Sequence, residues 1–431
     1  MNSYCVAIFL SIDHLNFIMC NTGILPRKNK KLFLIACASL LGLVGAAQNS
    51  PAQNAAASGA PDFDDSSAFT LWDGGFAATQ KKFAEASAPA IPVAPAVSAV
   101  HVAPAAPAIP AAAAPAAATT LASIAASQVI NWTFSLDNLV QRMGEVRLEN
   151  LAVNNGGDLH YNGNLWARAY GNRVNADATI TGVPFHEYTY GASVGADKAF
   201  QGRDFTALAG LMGDFSKTNR SFNDAGDGSS RNAGIGFYAT LLSAEGWFAD
   251  LAGRLDSLNT KFSVNAPDND PAISGNYTTS METLSLQAGR VFKRASGWWT
   301  EASLQAAISW AGSGACDTLA GAQGQSLRVR LDSARDLQYR AMLRFGRRIG
   351  NSRWYPYGKI AIAKVDTTDG MIYAGDTFAI ASDYNGPRFE CGLGTAYRID
   401  EFNQVCLDYN YVKAGNYDSP WNASLGYRVL W

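Results

Sequence analysis

Charge is scarce in this chain. Only 16% of its 431 residues are charged, against roughly a quarter in an ordinary soluble domain, so part of the surface faces something other than water. The net charge of -2 provides no basic footprint, which excludes a nucleic-acid partner. Histidines number four and cysteines six. Cys5, Cys20 and Cys37 fall in a region read below as targeting, leaving Cys316, Cys391 and Cys406. Strand alternation sets Cys391 beside Phe389 and Leu393, and Cys406 with Asp408 and Asn410 on the opposite face of the next strand, so they are not expected to pair. No spacing of histidine, cysteine or carboxylate matches a zinc site. Asp224, Asp227 and Gly228, like Asp268 and Asp270, lack the spaced ligands of an EF-hand. No metal or cofactor is therefore expected. No internal repeat of about 20 to 50 residues is present.

What the chain has is glycine, 40 residues, with 17 Tyr and 10 Trp, which suits a strand-rich protein with aromatic girdles. The last eleven residues set the pattern. Trp431, Val429, Tyr427, Leu425 and Ala423 fall on one face, and Leu430, Arg428, Gly426, Ser424 and Asn422 on the other. Such period-two alternation belongs to a strand with a different solvent on each face. In water this strand would be an aggregation hazard; in a membrane barrel it is the closing strand. Tyr427, Val429 and Trp431 also resemble the terminal assembly signal of Gram-negative outer-membrane proteins.

Residues 1–47 read as a signal-peptide region. Arg27 to Lys31 is the basic start, Leu32 to Gly45 the apolar run, and Val44-Gly45-Ala46 a small-residue cleavage site; translation starting at Met19 would suit this better. Cys37 sits too close to the lysines for a lipoprotein box. Residues 48–130 read as a short, low-complexity passenger or linker, with seven prolines among alanines and valines between Pro89 and Pro115, an extended spacer. A helix is expected within 131–152. Ser135 caps it, and Leu136, Leu139, Val140, Met143 and Val146 recur at helical spacing. About fifteen residues span ~22 Å, close to the apolar height of a membrane barrel, so the helix suits a lumen.

From 163 to 431 the spacing predicts twelve strands, at 163–171, 187–198, 203–218, 231–243, 246–261, 278–292, 297–312, 336–348, 353–365, 387–399, 402–413 and 421–431. Tight turns, such as Ala244-Glu245 and Asp400-Glu401, alternate with long polar loops around 172–186, 219–230, 262–277, 313–335 and 366–386. The exception is a seven-residue final loop, Ala414 to Pro420. An even-numbered up-and-down outer-membrane barrel has this parity, with short turns in the periplasm. Facing agrees: Trp247, Ala249, Leu251, Leu255, Phe389 and Leu393 point to lipid. Arg168, Asp250, Arg254, Asp256, Arg340, Arg344, Glu390, Arg398 and Arg428 point inward. That lumen is expected to be wet and salt-bridged, and useless as a hydrophobic core.

Gly191-Ala192-Ser193-Val194-Gly195 has the glycine and serine spacing of a hydrolase elbow but continues as strand with no helix after it, so it is read as close backbone packing. No catalytic residue is expected.

Gln141 to Arg147 in the helix and Trp166 to Arg173 in the first strand resemble the C-terminal translocator β-barrel of autotransporters, the type V secretion family. Gly195 to Phe200, Gly236 to Thr240 and Pro420 to Arg428 extend the resemblance, in family order, over about 290 residues. It implies a twelve-stranded antiparallel transmembrane barrel with a lumenal helix, carrying or anchoring an N-terminal passenger at the cell surface. The implied partners are outer-membrane lipid, the barrel assembly machinery and periplasmic chaperones, with the barrel a monomer. Two departures stand out. Only about 80 residues lie between the signal and the helix, where family passengers are far longer. Some members also cut the helix between two asparagines, the first amide attacking its own carbonyl. Here that position is Asp137, followed by Asn138, and a carboxylate is a poor substitute, so cleavage is expected to be slow or absent. The alternative reading is a structural or pore-forming barrel without cargo.

Overall fold

The computed structural model describes residues 113–153, 162–177, 183–202, 204–265, 272–320, 328–349, 353–375, 378–381 and 385–431, with helix side chains from 119 to 148. The expected signal region 1–47, and residues 48–112 of the expected linker, lie outside the described residues.

Helix α1 runs from Ala113–Val153 and, among the described residues, is followed by strands and one 3-10 turn at Asn223–Ala225. In chain order the strands are β1 (Gly163–Ala176), β2 (Phe185–Gln201), β3 (Phe205–Ser221), β4 (Gly226–Ser243), β5 (Trp247–Val264) and β6 (Ile273–Lys293). Then come β7 (Trp298–Ala311), β8 (Gly314–Asp317), β9 (Leu319–Ala320), β10 (Arg328–Leu331), β11 (Ala334–Arg347) and β12 (Trp354–Asp369). The last are β13 (Met371–Ala374), β14 (Phe378–Ala381), β15 (Gly386–Arg398), β16 (Asn403–Ala414) and β17 (Tyr417–Leu430).

Twelve of these, β1 to β7, β11, β12 and β15 to β17, form a closed antiparallel ring, as the alternation predicted. The seam is β1 against β17, with Asn164 opposite Leu430 and Arg173 opposite Trp421. Past the last paired residues, the Asn162 amide donates to the Trp431 carbonyl at 2.6 Å and the Trp431 amide to the Gly163 carbonyl at 3.0 Å. The sheet is therefore left with no open edge at its two termini, the condition for placing strands in hydrocarbon. Ring strands run from 12 to 21 residues, longer than a tilted membrane crossing requires, so they extend beyond the bilayer at the loop end. For that reason several expected loops are strand. The expected seven-residue final loop shrinks to Gly415-Asn416 between β16 and β17.

Alternation decides which face each side chain sees. Leu255 is 56% exposed, Leu286 57%, Leu304 70% and Leu393 69%, an apolar surface far beyond what a soluble monomer displays. Their neighbours Arg254, Asp256, Gln287, Gln305 and Glu390 are buried inside.

Two expectations require correction. The helix begins at Ala113, well ahead of the expected Ser135, so residues 113–130, read as linker from their composition, are helical. Pro115 does not prevent this, because a first-turn proline has no intrahelical hydrogen bond to lose. The second concerns the lumen. It is not polar throughout: at the loop end Leu121, Ile124, Ile130, Trp132 and Phe134 pack with Val174, Phe185, Phe222, Phe262 and Ile273 in one apolar core. The core is completed by a second sheet, built from segments whose composition predicts loop, in the order β14-β13-β10-β8. Val329 pairs with Ala374 and Cys316, and Ile372 with Ile380. This sheet contributes Val329, Leu331, Ile372 and Ala374 to the core around the helix.

Candidate functional site, a helix threaded through the barrel

At about 1.5 Å per residue the helix is ~60 Å long, and every described side chain from Thr119 to Leu148 is buried or half-buried. Its first turns lie in the loop-end core with Phe222 and Phe262. Its last turns pack near the turns: Val146 against Leu208, Leu242, Phe248 and Val291, and Leu148 against Trp299 and Tyr357. The N-terminal end of the helix therefore opens at the loop end.

The wall supplies polar partners in tiers. Nearest the loops, Glu187 accepts from Ser127 Oγ at 2.5 Å, Asn131 Nδ2 at 3.1 Å and Arg220 Nε at 2.9 Å. On the other side Gln128 Nε2 donates to Thr260 Oγ1 at 3.2 Å and Trp132 Nε1 to Thr283 Oγ1 at 2.9 Å. Below, Arg254 bridges Asp256 at 2.7 Å and Asp214 at 3.2 Å, while Ser193 Oγ donates to Asp214 at 2.6 Å. This is the serine of the hydrolase-like glycine motif, and among the described residues no histidine bonds to it; it orients a wall carboxylate.

Asp137 comes next. It accepts from Arg340 Nη1 at 2.6 Å and Arg388 Nη2 at 3.4 Å, and the same two arginines hold Glu390 at 2.5 and 2.8 Å. Asn138, 6% exposed, follows on the helix. One turn on, Gln141 Oε1 accepts from Arg168 Nη1 at 2.6 Å and Ser424 Oγ at 3.0 Å, and Glu145 pairs with Arg168. Arg142 meets Asp197 at 2.7 Å and stacks 5.5 Å from Trp166. At the turn end Arg147 pairs with Asp250 and with Glu301 at 2.9 Å, and lies 4.0 Å from the Phe248 ring. At Gly144 a Cβ would meet the Arg344 guanidinium, which would have to shift; that guanidinium also reaches Glu301 at 3.4 Å.

Arg168, Asp250, Arg254, Glu390 and Arg428 are thus all buried in the lumen, and Arg428 donates to Gln404. Arg398 lies outside the network, half-buried at the turn-end terminus of β15. Tyr427 and Val429 share the outward face of β17 and pack with Ala167, while Tyr427 Oη donates to Asn403 Oδ1 at 2.6 Å. Trp431 closes the seam. The sequence reading missed Asp197, Glu187, Arg220 and Glu301 as partners of the helix. The same odd-even count applied to β2, β3 and β7 would have turned them inward.

Burying so many ions costs desolvation that pairing only repays, so these tiers say little about net stability. What they specify is register, because a shift of one turn would strand several charges at once. The arrangement holds one helix in one position and contains no converging nucleophile, base and oxyanion donors. Among the described residues no group of carboxylates, histidines and cysteines could hold a metal.

Comparison with known proteins agrees with this architecture. Residues 165–410 match the autotransporter β-domain family. The pertactin autotransporter of Bordetella parapertussis is 30% identical over 306 residues, 70% of this chain and 31% of that protein. The BrkA autotransporter of Bordetella pertussis is 24% identical over 293 residues, 67% of this chain and 27% of its own. The chain thus spans about a third of the length of these relatives. Among solved structures, the β domain of the Bordetella autotransporter BrkA has a TM-score of 0.53 at 21% identity, covering 63% of this chain and all of that one. The translocator domain of NalP from Neisseria meningitidis has a TM-score of 0.53 at 13% identity, covering 72% and 99%. The ring of strands, the helix within it and the match over 165–410 make this chain a member of the autotransporter β-domain family.

Proposed function

We propose that the barrel places the segment N-terminal to its helix on the outer surface of a Gram-negative-type cell, acting as a translocator and anchor and not as an enzyme. The observation that carries this is the direction of α1: its C-terminal turns sit at the short-turn, periplasmic end and its N-terminal turns at the loop end. A chain held in that direction has passed outward through the ring. The signal-like stretch 27–47 supplies the route across the inner membrane, and the outward Tyr427, Val429 and Trp431 supply the strand that assembly machinery and periplasmic chaperones would read. The barrel works as a monomer, since closure leaves no strand edge for a second copy.

The test is protease applied to intact cells expressing the full chain, with an epitope inserted in residues 48–112. Cleavage of the epitope with the barrel intact is expected. Protection until the outer membrane is breached would instead support a structural or pore-forming barrel without displayed cargo.

A further inference from the structure

At the periplasmic end the outer face of the barrel changes character over one sector. The stretches 244–247, 290–298 and 347–354 carry Arg290, Lys293, Arg294, Arg347, Arg348 and Arg353 against one acid, Glu245. In the sequence of the other two short turns the charges balance, with Asp204, Asp400 and Glu401 against Lys198, Arg203 and Arg398.

The cations are interleaved with aromatics. Trp247 pairs with Arg290, whose guanidinium lies 4.9 Å from the Trp247 ring and 5.3 Å from Phe292. Arg347 pairs with Trp298 and lies 5.6 Å from its ring. On the other side of Trp298 the Arg294 amide donates to the Trp298 carbonyl at 2.9 Å. Arg294, Trp298 and Arg347 therefore form one outward row across β6, β7 and β11. At about 4.8 Å per strand the two arginines are ~10 Å apart at their Cα atoms, a gap that two guanidiniums close on an oxyanion. Trp247, Phe292 and Trp298 stay 53%, 48% and 47% exposed, so the rings are open to the surroundings. On the hydrocarbon side of the row the same three strands expose Leu286, Leu304 and Leu343.

We infer that this sector is a binding site for an anionic phospholipid of the periplasmic leaflet. Its phosphate sits between Arg294 and Arg347 over Trp298, and its acyl chains lie on the leucine strip. Arg290 reaches up from the apolar side, its stem in lipid and its head at the interface. A free phosphate satisfies the arginines but leaves the leucines and open rings without a partner, so the site commits to a lipid. The inference depends on the barrel's place in the membrane and is independent of what the helix carries.

The experiment is native mass spectrometry of the full chain released from nanodiscs containing equal phosphatidylglycerol and phosphatidylcholine. The wild type is expected to retain phosphatidylglycerol by about fivefold or more, the factor that one basic side chain near an anionic surface supplies. Arg294→Gln with Arg347→Gln is expected to bring the ratio close to one. Lys413→Gln, the same charge change on an exposed lysine at the loop end, should leave it unchanged. No preference in the wild type overturns the site without any variant having to fold. An unaltered preference in the double variant, or displacement of the adduct by inorganic phosphate alone, also overturns it.

Discussion

Arg340 joins helix to wall: its Nη1 donates to Asp137 Oδ1 at 2.6 Å while its Nη2 donates to Glu390 Oε2 at 2.5 Å. Arg388 holds the other Asp137 oxygen. Both oxygens of the residue standing where a cyclising amide would be needed are thus engaged by cations. The helix is expected to remain uncut in outer-membrane fractions. Asp137→Asn, which supplies the amide nitrogen, is expected to introduce a cut and Asp137→Ala is not. N-terminal sequencing of the barrel decides this, and a wild-type fragment starting at Asn138 would contradict it.

Arg147 pairs with both Asp250 and Glu301, the latter shared with Arg344. Arg147→Ala leaves two buried carboxylates short of a partner and should cost about 3 to 5 kcal/mol. The apolar replacement of all three groups should recover most of that loss. The temperature at which the folded band disappears from unboiled gels measures both; equal midpoints for Arg147→Ala and wild type would refute the pairing.

The loop-end core implies that grease, as well as ion pairing, seals the lumen. Ile130 is fully buried, and Ile130→Asp places a charge among Leu121, Phe134 and the small sheet. Expected is a rise in single-channel conductance in planar bilayers with the heat-resistant folded band retained. A conductance equal to wild type would show that the tiers below close the channel alone.

The three barrel cysteines are free and report the faces directly. With Cys5, Cys20 and Cys37 replaced by serine, buried Cys406 should resist thiol reagents until unfolding, and outward-facing Cys391 should take a lipophilic maleimide. Cys316 lies in the small sheet, where burial and then Asp317 push its thiol up. With less thiolate at neutral pH, its alkylation should be slow at pH near 7 and faster as pH rises toward ~9. Rapid labelling of Cys406 in the folded protein would break the facing assignment.

Strand facing was readable because lipid outside and ions inside impose period two, which sorted Leu251 from Asp250 without any structure. The helix start was not. Between Thr119 and Phe134 the helix is surrounded on all sides, so no solvent stripe marks a period, and alanine and serine reach the lumen as readily as leucine. The composition of residues 113–130 resembles the proline-rich stretch before it, and Pro115 reads equally well as the end of a spacer or the first turn of a helix. The small sheet was hidden for a different reason. Its strands are four residues long, and Arg330 pairs with Tyr373 across two barrel strands, beyond the reach of local pattern. Asp137 was legible as a departure from its family, but its two arginine partners depend on barrel geometry.

The seam gives the chain an order of events. The carbonyl that holds Gly163 in place belongs to Trp431, so β1 has no permanent neighbour on one side until β17 has been made. The hoop cannot shut piecemeal as synthesis proceeds. Until it shuts, every intermediate has two bare margins, each a template for pairing with another chain.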